Sequence, residues 1–244
     1  MEKPPYLTTG VLGGMGPQAT VDFMTKIIRQ TPAQLDQDHI PLIIDHNPLV
    51  PNRHKSLNGS GDDAKAPLIE MAKKLEGAGA HFLVMVCNTA HAYHADIQGK
   101  ISIPFISIVD EVVAHIQENY PSVKNIGIMA ADGCLHANIY QQALLHKSFV
   151  PIQWHEDRSR QFMELLFRIK TGNVGDESRK EMVLLSQYLS DAGAELIISG
   201  CTEIPLVMTA KDIDIPLIES TDILVQQTIA YATQKSKLPS IEIA

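Results

Sequence analysis

Short, continuous apolar runs alternate along the chain with longer stretches in which apolar positions return every three or four residues. The first pattern fits a strand buried on both faces, the second an amphipathic helix. Leu7 to Leu12 predicts a strand ending in Gly13-Gly14-Met15-Gly16-Pro17, and helical periodicity then covers Ala19 to Gln30. Pro41 to Asp45 predicts a second strand. His46 to Asp63 is rich in Pro, Asn, Ser and Gly and reads as a long functional loop. Lys65 to Glu76 predicts a helix closed by Gly77 and Gly79, and His81 to Val86 a buried strand. Cys87-Asn88-Thr89 then turns into a further helix from about Ala90. Alternating strand and helix units of this kind predict an α/β fold with parallel sheets covered by helices on both faces.

The pattern occurs twice. Ala78-Gly79-Ala80-His81-Phe82-Leu83-Val84-Met85-Val86-Cys87 aligns without a gap to Ala192-Gly193-Ala194-Glu195-Leu196-Ile197-Ile198-Ser199-Gly200-Cys201. Further on, the predicted strand Ile103-Pro104-Phe105-Ile106-Ser107 answers the predicted strand Ile215-Pro216-Leu217-Ile218-Glu219, each followed by an Asp and an amphipathic helix. Earlier, Thr9-Gly10-Val11-Leu12 answers Ile126-Gly127-Ile128-Met129. Three matches in the same order point to a duplicated unit. They predict two pseudo-symmetric parallel-sheet α/β domains with the active site in the cleft between them. The last helix, Thr221 to Gln234, is expected to return to the first half. That makes the first domain residues 1–103 plus 214–244 and the second 104–213.

Length and charge narrow the function classes. A chain of 244 residues has ample core for two small domains. Net charge is −8, no Lys/Arg cluster occurs and aromatics are sparse, which argues against a nucleic-acid surface. No apolar run approaches the roughly 18–20 residues of a membrane span. The start, Met1-Glu2-Lys3-Pro4-Pro5-Tyr6, shows no apolar leader, so a cytoplasmic protein with reduced thiols is expected.

Three cysteines carry the candidate chemistry. Cys87 and Cys201 stand at the carboxyl ends of matched strands, where open α/β sheets bind ligands. Each precedes a predicted helix, whose N-terminus would lower the thiol from its usual pKa of about 8.5. Two thiols on opposite walls of a cleft suit inversion of a stereocentre: one removes a proton from Cα and the other returns one to the opposite face. A single cysteine would read first as a small buried hydrophobe, but a matched pair favours chemistry. Cys87, His91 and His94 have ligand-like spacing but no companion cluster, so no metal is expected. Gly10, Gly13, Gly14 and Gly16 are wrongly spaced for a dinucleotide fingerprint.

Gly13-Gly14-Met15-Gly16-Pro17, Cys87-Asn88-Thr89-Ala90-His91 and Gly200-Cys201-Thr202-Glu203 resemble the signature segments of the aspartate/glutamate racemase family. The match covers essentially the whole chain in order. The resemblance implies racemisation of an acidic amino acid with no pyridoxal phosphate and no metal, two similar domains around a cleft, and a homodimer. Glu203 resembles the aspartate-racemase branch, since glutamate racemases usually have His at that place. Arg53, in Pro51-Asn52-Arg53-His54, resembles the arginine of the family's Pro-x-Arg-Thr stretch, which holds the substrate's side-chain carboxylate. His54 departs from the usual Thr. Lys170 resembles a family lysine that approaches a substrate carboxylate, with Arg168 a weaker rival.

A guanidinium can grip a carboxylate through two parallel bonds. Asn88, Thr89 and Thr202 suit a carboxylate at a helix start, or simply cap the two helices. Met15 either lines the cleft or belongs to a tight turn. Glu203 either caps, orients the substrate ammonium or sets the protonation of Cys201; Asp45 is the other carboxylate of interest. Ala130-Ala131-Asp132-Gly133-Cys134 departs from the family's Ala-Thr-x-Gly-Thr, replacing two hydroxyl donors. Aspartate, glutamate and a broader amino-acid range therefore stay open, with Cys134 a cleft lining or a buried filler. Two alternatives remain: a related cysteine-dependent isomerase or decarboxylase of maleate- or malonate-type dicarboxylates, and a catalytically silent dicarboxylate-binding protein.

Overall fold

A computed structural model of the chain describes residues 6–241; Met1–Pro5 of the N-terminal reading and residues 242–244 lie outside them. The first part of the chain forms β1 (Thr9–Gly13), α1 (Pro17–Gln30), β2 (Leu42–His46), α2 (Arg53–Leu57), α3 (Lys65–Gly77), β3 (Phe82–Met85), α4 (His94–Gln98) and α5 (Ile108–Asn119). There follow β4 (Asn125–Met129), α6 (Asp132–His136), α7 (Ile139–His146), β5 (Val150–Ile152), α8 (Glu156–Lys170), α9 (Asp176–Asp191), β6 (Leu196–Ser199), β7 (Leu217–Glu219) and α10 (Ser220–Ala232). Among the described residues all strand pairings are parallel, in the orders β2-β1-β3 and β5-β4-β6-β7.

Two compact units result: one runs up to Glu111 and resumes at Thr221, and the other is Val112–Ser220. The chain thus leaves the first unit within α5 and re-enters it one residue into α10. Among the described residues, no helix is long and apolar enough to cross a membrane.

The duplication has a steric counterpart. A Cβ on Gly10 would lie 2.4 Å from Leu83, 2.9 Å from Ala80 and 3.1 Å from Leu75. On Gly127 it would meet Ile197 and Ala194 at 3.1 Å and Leu189 at 3.4 Å. Each member of the second set aligns with its counterpart under the same offset that carries Cys87 onto Cys201. In both units the helix before the central strand's neighbour lies so close to the sheet that a bare glycine has to face it. The closing turns match as well: Ala80 N–H donates to Leu75 O at 3.1 Å and Ala194 N–H to Leu189 O at 3.0 Å.

Three local expectations are corrected. The His46–Asp63 loop contains α2, whose N-cap Asn52 accepts from the backbone N–H of His54 and Lys55. The segment Ile103–Ser107 is not a strand but a single bridge, Leu83 to Phe105. Pro104 O and Ile106 N–H make that bridge with Leu83, and the opposite edge is held by side chains beyond Cys87: Gln98 takes Ile103 O at 3.1 Å and Phe105 N–H at 2.8 Å, and His94 Nε2 bonds Phe105 O at 2.7 Å.

The third correction lies just after each cysteine, where the chain forms a 3₁₀ helix, Thr89–Tyr93 and Ile204–Leu206, instead of an α-helix. In the first case the His91 ring occupies Cys87 O at 2.8 Å, the acceptor an α-helical turn would give to the His91 N–H. That N–H bonds Asn88 O instead, at 3.0 Å. In the second, Pro205 has no N–H to give.

Candidate active site

In the second unit, β6 delivers Cys201 at its carboxyl end, with Gly200 N–H held by Met129 O of the central strand at 2.8 Å. The Cys201 thiol donates to Glu203 Oε2 at 3.0 Å, and the Thr202 hydroxyl donates to the same oxygen at 3.2 Å. The other oxygen, Oε1, lies 3.6 Å from Nζ of Lys170, the last residue of α8. One buried carboxylate therefore gathers a thiol, a hydroxyl and an ammonium. Burial pushes the Cys201 thiol well above its ordinary pKa; the Glu203 charge adds to this and Lys170 opposes it.

This corrects the expectation of a helix-lowered thiol. The 3₁₀ helix after Cys201 is a single turn, too short for a substantial dipole, and a carboxylate sits against the sulfur. Burial and the neighbouring carboxylate thus both favour the protonated thiol form of Cys201.

In the first unit, Cys87 lies just past β3 and is 7% exposed, in an apolar cluster with Met15, Val50, Ala90 and Tyr93. Met15 is itself 4% exposed. The turn that carries it is forced by its surroundings: Gly14 has φ +91°, and a Cβ there would fall 2.5 Å from the Asn47 backbone. The close approach therefore brings in the start of the Arg53 loop.

Arg53 opens α2, and its Nη1 donates to Val50 O and Pro51 O, both at 2.9 Å. Its Nε is buried and has no hydrogen-bond partner among the described residues. Ser56 ties α2 to the Cys87 segment by a 2.7 Å hydrogen bond with the Tyr93 hydroxyl.

Asn88 and Thr89 are buried, at 4% and 7% exposure, but Asn88 makes no side-chain cap on the 3₁₀ helix it precedes. Asp45 is engaged by Lys74 at 3.3 Å. Both histidines of the ligand-like spacing use ring nitrogens on backbone groups. Among the described residues no group of three or more His, Cys, Asp or Glu side chains is placed to hold a metal ion. The structure therefore gathers Lys170, Cys201, Thr202 and Glu203 in one unit, and Met15, Arg53, Cys87, Asn88 and Thr89 in the other.

Sequence reasoning missed the Ser56–Tyr93 tie, because neither residue belongs to a motif. It also missed a cavity of about 500 Å³ lined by Asp132, His136, Gln153, Trp154 and Arg160, among others. Asp132 accepts a short hydrogen bond from Ser159 there. Cys134, in α6, is 1% exposed.

Comparison with known proteins gives a consistent picture. The family model described as Asp/Glu/Hydantoin racemase matches residues 12–228. A broad specificity amino-acid racemase of Bacillus subtilis (strain 168) is 30% identical over 226 residues, covering 91% of this chain and 96% of that protein. Among solved structures, an aspartate racemase of Picrophilus torridus superposes with a TM-score of 0.82 at 23% identity, covering 96% of each chain. A glutamate racemase of Francisella tularensis, solved with D-glutamate, gives 0.66 at 16% identity over 100% of this chain and 86% of that one. At those identities the two structures speak for the fold.

Proposed function

Because the chain belongs to the Asp/Glu/hydantoin racemase family, whose members are isomerases, we propose that it interconverts L- and D-aspartate, or glutamate, using Cys87 and Cys201 as the two acid/base groups. The 3.0 Å contact between the Cys201 thiol and Glu203 carries the proposal. A two-base inversion needs one protonated and one deprotonated group at the start of each turnover. Cys201, raised by burial and by Glu203, enters as the acid, and Cys87 accordingly enters as the base.

Cys87 takes the Cα proton of one enantiomer while Cys201 delivers its own proton to the opposite face. The enzyme is left with Cys87 as thiol and Cys201 as thiolate, the state that runs the reverse reaction. The starting state returns when the Cys87 proton is lost to solvent and Cys201 takes one up, which the Glu203 charge beside the sulfur favours. Arg53 takes one substrate carboxylate on its unpartnered Nε edge, and Lys170, half exposed beside Glu203, attracts the other. Asn88, Thr89 and Thr202 supply further donors beside the two cysteines. The proposal includes a cytoplasmic homodimer that needs no cofactor.

A broader substrate range is a second reading, favoured by one feature. The segment after β4 offers Ala131 and Cys134, both almost fully buried, where hydroxyl donors were expected, and so specifies a side-chain carboxylate less strictly.

Proton NMR in D₂O with reduced enzyme and no added cofactor tests both readings. Loss of the Cα–H signal of L-aspartate or L-glutamate, with the D-enantiomer appearing on chiral analysis, is the expected result. Exchange of neutral amino acids at comparable rates would establish the broader range. No exchange with any of them would overturn the racemase reading and turn attention to maleate- or malonate-type dicarboxylates.

A further inference from the structure

His91 lies four residues after Cys87 and is almost fully buried. Its Nδ1 is 2.8 Å from Cys87 O, and its Nε2 accepts from Ile108 N–H at 3.2 Å. The partners decide where the ring proton sits. A carbonyl can only accept, so Nδ1 carries the hydrogen; a backbone N–H can only donate, so Nε2 carries the lone pair. Ile108 is the first residue of α5, and its N–H has no acceptor within that helix. One neutral imidazole therefore joins the carbonyl of the candidate base to the start of a helix 17 residues further on. Phe105 holds the ring in place, with centroids 5.8 Å apart and planes 26° from parallel.

We propose that His91 is a positioning residue for Cys87: its neutral ring locks the Cys87 backbone against α5 and takes no part in moving the proton. The proposal rests on the cysteine-pair reading above. A second proton would have to go on Nε2 and would break the Ile108 bond. Burial, with a smaller contribution from His94, lowers the His91 pKa to about 3 and outweighs the backbone groups of Cys87 and Ile106, which favour the charged ring. The Nδ1 bond lies on Cys87 O, the acceptor an α-turn would use, at the point where the chain takes a 3₁₀ turn.

Two substitutions separate the two bonds. The amide of His91→Asn reaches about as far as Nδ1 and can keep the Cys87 bond while leaving Ile108 uncapped. The longer amide of His91→Gln can accept from Ile108 while leaving Cys87 O without its donor. Solvent-deuterium exchange into Cα is then measured separately from L- and D-substrate. In His91→Gln, exchange from the enantiomer deprotonated by Cys87 should fall roughly 10- to 100-fold more than exchange from the other. In His91→Asn the ratio between the enantiomers should stay as in the unsubstituted protein. A general loss of folding lowers both enantiomers together. An equal fall in both with the circular-dichroism spectrum and Tm unchanged, or the larger asymmetry in His91→Asn, would overturn the proposal.

Alkylation by iodoacetamide, read peptide by peptide, needs no turnover. The Cys87 rate relative to Cys201 should change at least about threefold in His91→Gln and stay unchanged in His91→Asn. An unchanged ratio in both variants refutes the positioning role even if the racemase assignment fails, and an inactive unsubstituted enzyme refutes only that assignment.

Discussion

Acidification should weaken the first unit through His91, and the size of the effect follows from its surroundings. A histidine at its ordinary pKa of 6.5 in the unfolded chain, and at about 3 in the folded one, binds its proton first in the unfolded state. Stability therefore rises with pH across that window and is lost as pH falls below 6.5. The limiting slope is about 1.4 kcal/mol per pH unit, and integration from pH 7 to pH 5 gives a loss of about 2 kcal/mol.

Other groups titrate nearby. His94 and His115 are also lowered by burial and act in the same direction. Glu111 is raised by burial and acts in the opposite direction, since its folded form takes up a proton first. Glu76, lowered chiefly by the Ser102 hydroxyl, loses its contribution only further into acid. Comparison with His91→Asn removes these common contributions. Trp154 belongs to the second unit, so its fluorescence is the wrong probe. Amide hydrogen exchange of β3 and the start of α5, at pH 7 and pH 5, reports the first unit directly. The unsubstituted protein should lose about 2 kcal/mol more than the variant between those pH values. Equal losses would mean that His91 is protonated in the folded state, and the tautomer argument would fall.

Glu203→Gln removes the charge that helps hold the Cys201 thiol protonated and leaves Lys170 unopposed. Cys201 should then be alkylated faster at pH 8, while racemisation falls on the order of 10²-fold; unchanged alkylation would contradict the electrostatic account. Arg53→Lys cannot present two parallel donors, so KM for the acidic substrate should rise roughly tenfold or more with kcat changed far less, as steady-state kinetics would show. Gly14→Ala would place a Cβ against the Asn47 backbone at positive φ, for a loss of at least about 1–3 kcal/mol read as a lowered Tm. A neutral result there would mean that the turn relaxes freely.

The duplicated α/β design, the parallel strands and the cysteines at matched strand ends were all legible in the sequence. Each is written in local signals: continuous apolar runs, helical periodicity, and glycines such as Gly10 and Gly127 whose neighbours allow nothing larger. The residues around Cys201 were legible too, because Thr202 and Glu203 are its immediate successors.

Only the tertiary structure decided which side chain claims which backbone or charged partner. Ile103–Ser107 makes a single bridge to β3, its outer edge held by Gln98 and His94. The His91 ring bonds Cys87 O where a 3₁₀ turn follows, and burial, with the Glu203 charge added, raises a thiol that a helix start alone would have lowered. Periodicity records which face of an element is buried. It carries no record of competition for a single carbonyl or proton, which is settled by distances of about 3 Å between groups that the fold brings together.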